Sequence, residues 1–560
     1  MLLGGRQVVL RGKLELSLPP FLQKAPRGRL SQAIRTRLHH HDAIVVGVAA
    51  GLVSLLSFLY FYQANLITAL ADSRSRLLLA RHVVDGIDTG PAQLGAVWLP
   101  LPQILMTSMI WNNFLYQSGI AGAAVSMCAF IAASVFLYKL VTLVGHSRLA
   151  GAVAILFFSG PNILYLQSTP MSEVPFIALW LGSIYFFVRW TQDPHGIKYL
   201  VLTAFMLLLA SLTRYEGWIL LGTVTVAMIY TFWLNRFSYD KAEGYLVFFA
   251  TLAFAGIAFW LLWNQVIFGD VLYFARSQYS AQTQGLVLNS GLSIAQRTAG
   301  NLALSTAIYG LTALESVGWI SALVAVFGLV YWLSAKIPAP TKLAALLLLF
   351  PLPFYIFSMW NHSVTIQNPF FTPGVYLNAS YGVLMVPATA FFAGYLVSRW
   401  HRIGRLAVPS LALVSILVMM AAGPLDLSEA RSVVADPGIQ SQVQAGQWLH
   451  SHYSGGLVLR QRFGNEASSF ASQVPLIDVV YEGDPLPWRQ SLQGPSSQNI
   501  DWIFMRETVG STGQSDQVWQ ALHDSLELQA NYYLAYQQGG IEIYVRNPPG
   551  GTPVPQGSGA

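Results

Sequence analysis

The chain has 560 residues, 54% of them hydrophobic and only 10% charged, with a mean hydropathy of +0.49. Charge this sparse, between apolar runs long enough to cross a hydrocarbon core, excludes a water-soluble globular protein and predicts a polytopic α-helical membrane protein. The net charge of +6 sits mainly in short flanks of the apolar runs, which argues for contact with membrane lipids and against nucleic-acid binding.

In chain order, residues 1–42 read as a basic cytoplasmic arm carrying Arg6, Arg11, Lys13, Lys24, Arg27, Arg29, Arg35 and Arg37. The arm has no short apolar core ahead of a small-residue cleavage site, so it is not read as a signal peptide. Apolar runs of membrane-spanning character follow at 43–64, 118–142, 149–168, 174–190, 198–213, 217–235, 245–263, 316–334, 343–358, 380–398 and 406–422, about eleven transmembrane helices in all. Basic clusters at 139–148, 236–241, 336–342 and 399–405 fall on the same side as the arm, the cytoplasmic side by the positive-inside rule. The loops 65–117, 264–315 and 359–379, and everything after residue 423, are then extracytoplasmic. The lone cysteine, Cys128, lies in an apolar run, so an intrachain disulfide and a cysteine metal cluster are both excluded.

Beyond the last run the composition becomes that of a soluble domain. Strand patterns at 456–460, 476–481 and 502–505 alternate with helical patterns at 438–453 and 515–529, and Gly539-Gly540 is placed to turn a terminal hairpin. This predicts an extracytoplasmic α/β domain over 430–547 and a flexible tail over 548–560. Neither a phosphate-cradling glycine loop nor a serine-elbow signature occurs in it.

The ionisable residues predicted at the extracytoplasmic ends of the spans are the candidates for chemistry, because charge at a membrane boundary is costly unless it lines a polar cavity. The first loop opens Ala71-Asp72-Ser73-Arg74-Ser75-Arg76, passes Arg81, His82, Asp85 and Asp88, and closes Val97-Trp98-Leu99-Pro100-Leu101-Pro102. On a helix, Asp72, Ser75, Arg76, Leu79 and Val83 share a face. A structural reading has Asp72 capping that helix and pairing with Arg76, and Asp85 pairing with Arg81. Glu173 has a comparable reading as an acid at a helix N-terminus, and Glu216 reads chiefly as structural. His82 is read as packing within the loop, and Trp98, Pro100 and Pro102 as ending the loop helix and seating it in the headgroup layer. Asp85 and Asp88 are candidate ligands for a divalent cation, although they form no repeated acidic motif with Asp72.

An acid just after the first span, the Trp-Pro closure of the first loop, Ser172-Glu173, and Thr213-Arg214-Tyr215-Glu216-Gly217-Trp218 together resemble the GT-C fold glycosyltransferases. Among these the chain is most similar to bacterial relatives of the protein O-mannosyltransferases and the lipid A aminoarabinose transferase, with residues 43–422 as the catalytic membrane domain. The resemblance implies a bacterial inner-membrane enzyme that takes a sugar from a polyprenyl-phosphate donor and passes it, with inversion, to a hydroxyl of a lipid, glycan or protein acceptor. It implies Asp72 as general base and Glu173 as a second acid. Arg214 is the first cation expected for the donor phosphate or sugar, followed by Arg74, Arg276 and His362, while His82, Trp98, Tyr215 and Glu216 are placed in acceptor or loop support. No cofactor is required by this reading, and a divalent metal is an unfavoured addition. The segment Tyr376-Leu377-Asn378-Ala379-Ser380 departs from the family pattern, with Ser380 where an arginine is expected. The alternatives from other classes are a secondary transporter, for which no paired glycine- or proline-interrupted segments appear in two matching halves, and a non-catalytic scaffold whose C-terminal domain binds a partner.

Overall fold

The computed structural model describes residues 27–290, 297–400, 402–507 and 515–548. Most of the basic arm, residues 291–296 of the loop 264–315, and the tail beyond 548 lie outside the described residues.

Every apolar run read from the sequence is helical, but the runs differ in how they reach the length of a membrane crossing. Six helices are long and apolar enough to span alone: His41–Gln63, Ile120–Gly145, Glu173–Gln192, Glu216–Leu234, Ala379–Arg399 and Gly404–Ala435. Three bent pairs raise the number to nine, with kinks of 42° near Phe254, 100° at Gly318 and 44° near Phe350. Arg148–Phe158 and Lys198–Ser211 are apolar but shorter, so the eleven predicted crossings are not matched by length among the described residues. The run at 149–168 stops early because Ser159-Gly160-Pro161 interrupts it, and a separate helix, Pro161–Leu166, follows. The first helix begins at Arg27 and runs unbroken to Gln63, since no glycine or proline falls between Arg29 and Val46. No structural break therefore separates arm and span at residue 42.

The helix ends that carry the basic clusters meet one another. Arg148 is ion-paired with Asp42 at 2.8 Å, Lys241 lies 3.0 Å from His195, and Thr191 and Thr341 hydroxyls share a 3.0 Å hydrogen bond. At the opposite end the loops converge on the site described below. Between the ends the bundle buries Trp180, Trp190, Trp260 and Trp332 completely, while Val45, Leu56, Val226, Phe327 and Leu417 are exposed around its waist. An apolar surface of this kind is what a lipid-facing belt requires.

The predicted first loop is largely helical, with helices Ala71–His82, Leu101–Ile110 and Asn113–Gln117. The proline pair acts differently from the reading above. Pro100 is the N-cap residue of Leu101–Ile110 and Pro102 occupies its first turn, where the missing N–H costs nothing. These prolines start a helix, whereas the preceding one ends at His82.

The C-terminal residues fold around a five-stranded sheet of order β2-β1-β3-β5-β4, built from β1 (Leu457–Arg460), β2 (Val479–Val480), β3 (Ile500–Arg506), β4 (Tyr532–Gln538) and β5 (Ile541–Arg546). β1 runs parallel to β2 and β3, and β5 is antiparallel to β3 and β4. Alternate residues face opposite layers: Val458, Trp502 and Phe504 pack with Ala445 and Leu449, whereas Leu459, Ile503 and Met505 pack with Val518 and Leu522. Gly539 and Gly540, with φ of 59° and 72°, make the two-residue hairpin turn between β4 and β5. The stretch 476–481 is mostly a 3₁₀ turn with a two-residue strand, and 515–529 is split into Gln517–Leu522 and Leu526–Asn531, the second helix capped by Ser525. The sheet domain begins later than residue 430. Helix Leu425–Ala435 places Leu427 and Ala430 in the core shared with the membrane helices, and Asp436 then caps Pro437–His452 through a 2.9 Å bond from the Ile439 N–H.

One close approach sets up the site. The turn before Glu173 is held by the Ser126 hydroxyl, which donates to the Thr169 and Met171 carbonyls at 2.8 and 3.1 Å. Gly122, one turn earlier on that helix, leaves room for Pro170: a Cβ there would lie 2.9 Å from the Pro170 Cα. Gly122→Ala is expected to lower stability by about 1–3 kcal/mol through overpacking, read as a reduced unfolding temperature in detergent. An unchanged temperature would show that this turn yields freely.

Candidate active site

Arg214 lies in the short link between helices Lys198–Ser211 and Glu216–Leu234, and its guanidinium donates five hydrogen bonds. Nε and Nη2 reach Glu216 Oε1 at 2.9 and 2.7 Å, and Nη1 reaches Ser172 Oγ at 3.0 Å and Glu173 Oε1 at 2.8 Å. Nη2 also reaches the Tyr355 hydroxyl at 3.3 Å. A guanidinium has five N–H donors, so its capacity is used. The Tyr355 hydroxyl donates in turn to Glu216, and Ser380 Oγ donates to Glu173 Oε1 at 3.1 Å. The Tyr381 ring lies under the guanidinium at 4.9 Å.

This arrangement gives Glu216 a structural place, with its Oε1 accepting two N–H groups of Arg214. It gives Ser380 a clear task as well: where the family pattern expects a cation, a hydroxyl supports Glu173. Glu173 is buried, and its second oxygen, Oε2, has no hydrogen-bond partner. With both carboxylates already on Arg214, that cation is largely neutralised and its donors are unavailable to a ligand.

Asp72 stands in the first turn of helix Ala71–His82, but it does not cap it. Leu70 is the N-cap residue and no side chain caps the turn. Among the described residues the half-buried Asp72 carboxylate makes no hydrogen bond and no close ion pair. The expected Asp72–Arg76 pair is not formed, because the Arg76 guanidinium instead lies over the Trp98 ring at 4.4 Å. Arg76 and Arg214 act on Asp72 only at longer range, as does Glu173. Loss of solvent contact raises the Asp72 pKa above the ordinary carboxylate value; Glu173 adds to the rise, while Arg76 and Arg214 oppose it.

Three sequence candidates from separate loops, Asp72, Glu173 and Arg214, thus share one pocket of charge. Other candidates are placed elsewhere. Arg74 donates from Nη1 to the Thr68 carbonyl at 2.8 Å, with Nε and Nη2 unpartnered. Arg276 is exposed and paired with Asp270 at 3.2 Å. His362 adopts a φ of 67° in its loop and its Nδ1 has no partner; it has no contact with the Arg214 cluster. His82 is stacked on Tyr481 with ring centroids 4.0 Å apart, and burial next to Arg462 and Arg460 holds its pKa well below the usual value. Trp98 underlies Arg76, and the Tyr215 hydroxyl fixes the same segment by donating to the Val97 carbonyl at 2.7 Å. Asp85 is paired with Arg81 at 2.7 Å, while Asp88 lies beside Asp484. Among the described residues no group of three or more His, Cys, Asp or Glu side chains is arranged to hold a metal ion.

Two features were not read from the sequence. Arg76 is a buried cation with no hydrogen bond among the described residues, its Nε fully enclosed and unpartnered. Its i+4 spacing from Asp72 suggested a helix pair, and only the approach of Trp98 removes it. Asp426 and Glu429 form a second acidic pair behind Glu173. Both Asp426 oxygens are buried without a partner, and Glu429 is buried near the backbone of Asn378 and Ala379. Their i,i+3 spacing was visible, but they lie beyond the last apolar run, where the composition reads as that of a soluble domain.

No protein-family model matches this sequence, and no curated protein matches it. Solved structures do. ArnT from Cupriavidus metallidurans bound to undecaprenyl phosphate overlays with a TM-score of 0.55 at 12% identity, covering 90% of this chain and 97% of that one. Its apo state gives a TM-score of 0.52 at 12% identity over 89% and 98%. The apo oligosaccharyltransferase of Archaeoglobus fulgidus gives 0.48 at 11% identity over 90% of this chain and 74% of that one. The overlay with ArnT extends over nearly the whole of both chains, and this chain therefore has the GT-C fold that its loop motifs resemble.

Proposed function

We propose that this protein is a membrane glycosyltransferase that moves a sugar from a polyprenyl-phosphate donor to the hydroxyl of a lipid, glycan or protein acceptor. The observation that carries the reading is Asp72: an unpaired, half-buried carboxylate near Glu173 and the Arg214 cluster, with Arg76, stacked on Trp98 and making no hydrogen bond among the described residues, one helical turn away. The GT-C fold and the undecaprenyl phosphate bound by ArnT of similar fold support a lipid-phosphate donor. The basic helix ends gathered at the opposite pole support an orientation with the site and the sheet domain outside the cytoplasm of a bacterial inner membrane.

In this mechanism Asp72 accepts the proton of the acceptor hydroxyl as its oxygen bonds to the anomeric carbon. The bond from that carbon to the donor phosphate breaks with inversion, and the polyprenyl phosphate leaves with the bonding electrons. Arg76 faces the negative charge gathering on the leaving phosphate. Arg214 keeps Glu173 and Glu216 in place and does not itself grip the phosphate. Glu173 orients the acceptor or the base through its free Oε2.

In a transfer assay with radiolabelled polyprenyl-phosphate sugars and extracted membrane acceptors, Asp72→Asn is expected to lose about 10²–10⁴-fold in kcat. Parental transfer by that variant would remove Asp72 as the base. The base works deprotonated and burial raises its pKa, so activity should fall with decreasing pH along a limb centred above the ordinary aspartate value of about 3.9. Arg76→Gln removes a cation that favours the carboxylate, so the limb should move to still higher pH and the donor KM should rise. A limb and a KM that both stay put would dissociate Arg76 from the site. Arg214→Ala leaves two buried carboxylates unpaired and should cost about 3–5 kcal/mol of stability, measured by thermal unfolding in detergent.

A further inference from the structure

Helix Ala71–His82 carries the proposed base, and its first turns bury Ser73, Arg74 and Arg76 but make few hydrogen bonds to the rest of the protein. Its start is uncapped, so its first N–H groups gain no side-chain partner, and Asp72 makes no hydrogen bond that would anchor it. Within the membrane domain, Arg81 ties down the far end by donating to the Ile110 and Trp111 carbonyls, each at 2.8 Å. Near the start, beside the Arg74 bond to Thr68 and the Arg76 stack on Trp98, a hydrogen bond comes from the sheet domain: Ser75 Oγ donates to Glu466 Oε1 at 3.0 Å, across 391 positions of sequence.

Glu466 is itself held. The same oxygen accepts the Gly464 N–H at 3.2 Å, and the residue opens helix Glu466–Ser472, which packs on helix Ala71–His82. Arg74 lies close enough to stabilise the carboxylate. Farther along, the Tyr481 ring stacks on His82, its hydroxyl donates to Gln93, and Phe470 meets Tyr116 with ring centroids 5.0 Å apart. The sheet domain thus grips the loop helix at both ends, and at the end next to Asp72 its hydrogen bond is the one from Ser75 to Glu466.

We propose that Glu466 is a positioning residue for Asp72, acting from the C-terminal domain through Ser75. The proposal rests on the reading of Asp72 as the base. Ser75 lies three residues beyond Asp72, nearly one turn along the same helix, so a rotation or slide at Ser75 is passed directly to the carboxylate. A displacement of about 1 Å at a reacting group can cost about 10²-fold in rate. The C-terminal domain then belongs to the catalytic assembly, and a domain merely appended to the bundle would have no such effect.

The test compares Ser75→Ala, Glu466→Ala, Glu466→Gln and the double variant Ser75→Ala/Glu466→Ala in the full-length protein. Transfer kinetics and amide hydrogen exchange over residues 73–76 are measured for each. Glu466→Ala and Ser75→Ala should each lower kcat about 10-fold with the donor KM unchanged, and the double variant should be no worse than either single one. Glu466→Gln keeps an acceptor oxygen for Ser75 and should restore most of kcat. Exchange over 73–76 should quicken in both alanine variants and stay parental in Glu466→Gln. Parental kcat in Glu466→Ala, additive losses in the double variant, or unchanged exchange would each overturn the proposal. A parent protein that transfers no polyprenyl-phosphate sugar would instead defeat the functional reading, and the exchange data would still decide whether Glu466 holds the helix.

Discussion

The site is organised around a single guanidinium shared by two buried carboxylates. Arg214 draws Glu173, Glu216, Ser172 and Tyr355 together, with Ser380 attached through Glu173. These residues come from four stretches of chain, and all are buried, most of them at the end of an apolar helix. Charges in such a place need partners, so the network constrains how the helices around it meet. With Arg214 committed elsewhere, the neighbouring Asp72 is left without a close counter-ion.

That division of labour links packing to chemistry. The turn holding Glu173 is set by Ser126 and by the space that Gly122 leaves for Pro170. The segment carrying Trp98 is held by Tyr215 at Val97, and Trp263 donates to the Gly95 carbonyl at 3.1 Å. Trp98 in turn takes Arg76 away from Asp72. A stacking interaction thus stands in place of a direct Asp72–Arg76 salt bridge and leaves the carboxylate unpaired. The sheet domain completes the arrangement by closing over the loop helix from the far side.

The helical membrane bundle was legible in the sequence because a hydrocarbon environment demands long apolar runs, and each predicted run is helical. Their lengths as crossings were less so: a hydropathy run passes without notice over the 100° kink at Gly318 and the break at Ser159-Gly160-Pro161. Helix Leu425–Ala435 was hidden for a related reason. Its composition is polar enough to read as a linker, while its buried face is set by contacts with helices far away in sequence.

For the site, the sequence by itself determined which ionisable residues stand at the span ends, since charge is tolerated only there or in a polar cavity. It thereby singled out Asp72, Glu173 and Arg214 as a set. Only the tertiary structure decided their pairings. Spacing along one helix favoured Asp72 with Arg76, yet an aromatic ring from the end of the loop captures the arginine. The family resemblance offered Arg214 to a donor phosphate, yet two acids from different helices use its donors. Local periodicity records which residues share a face. Which partner reaches each charge first is settled by segments tens to hundreds of residues away, and that competition is visible only once the chain is folded.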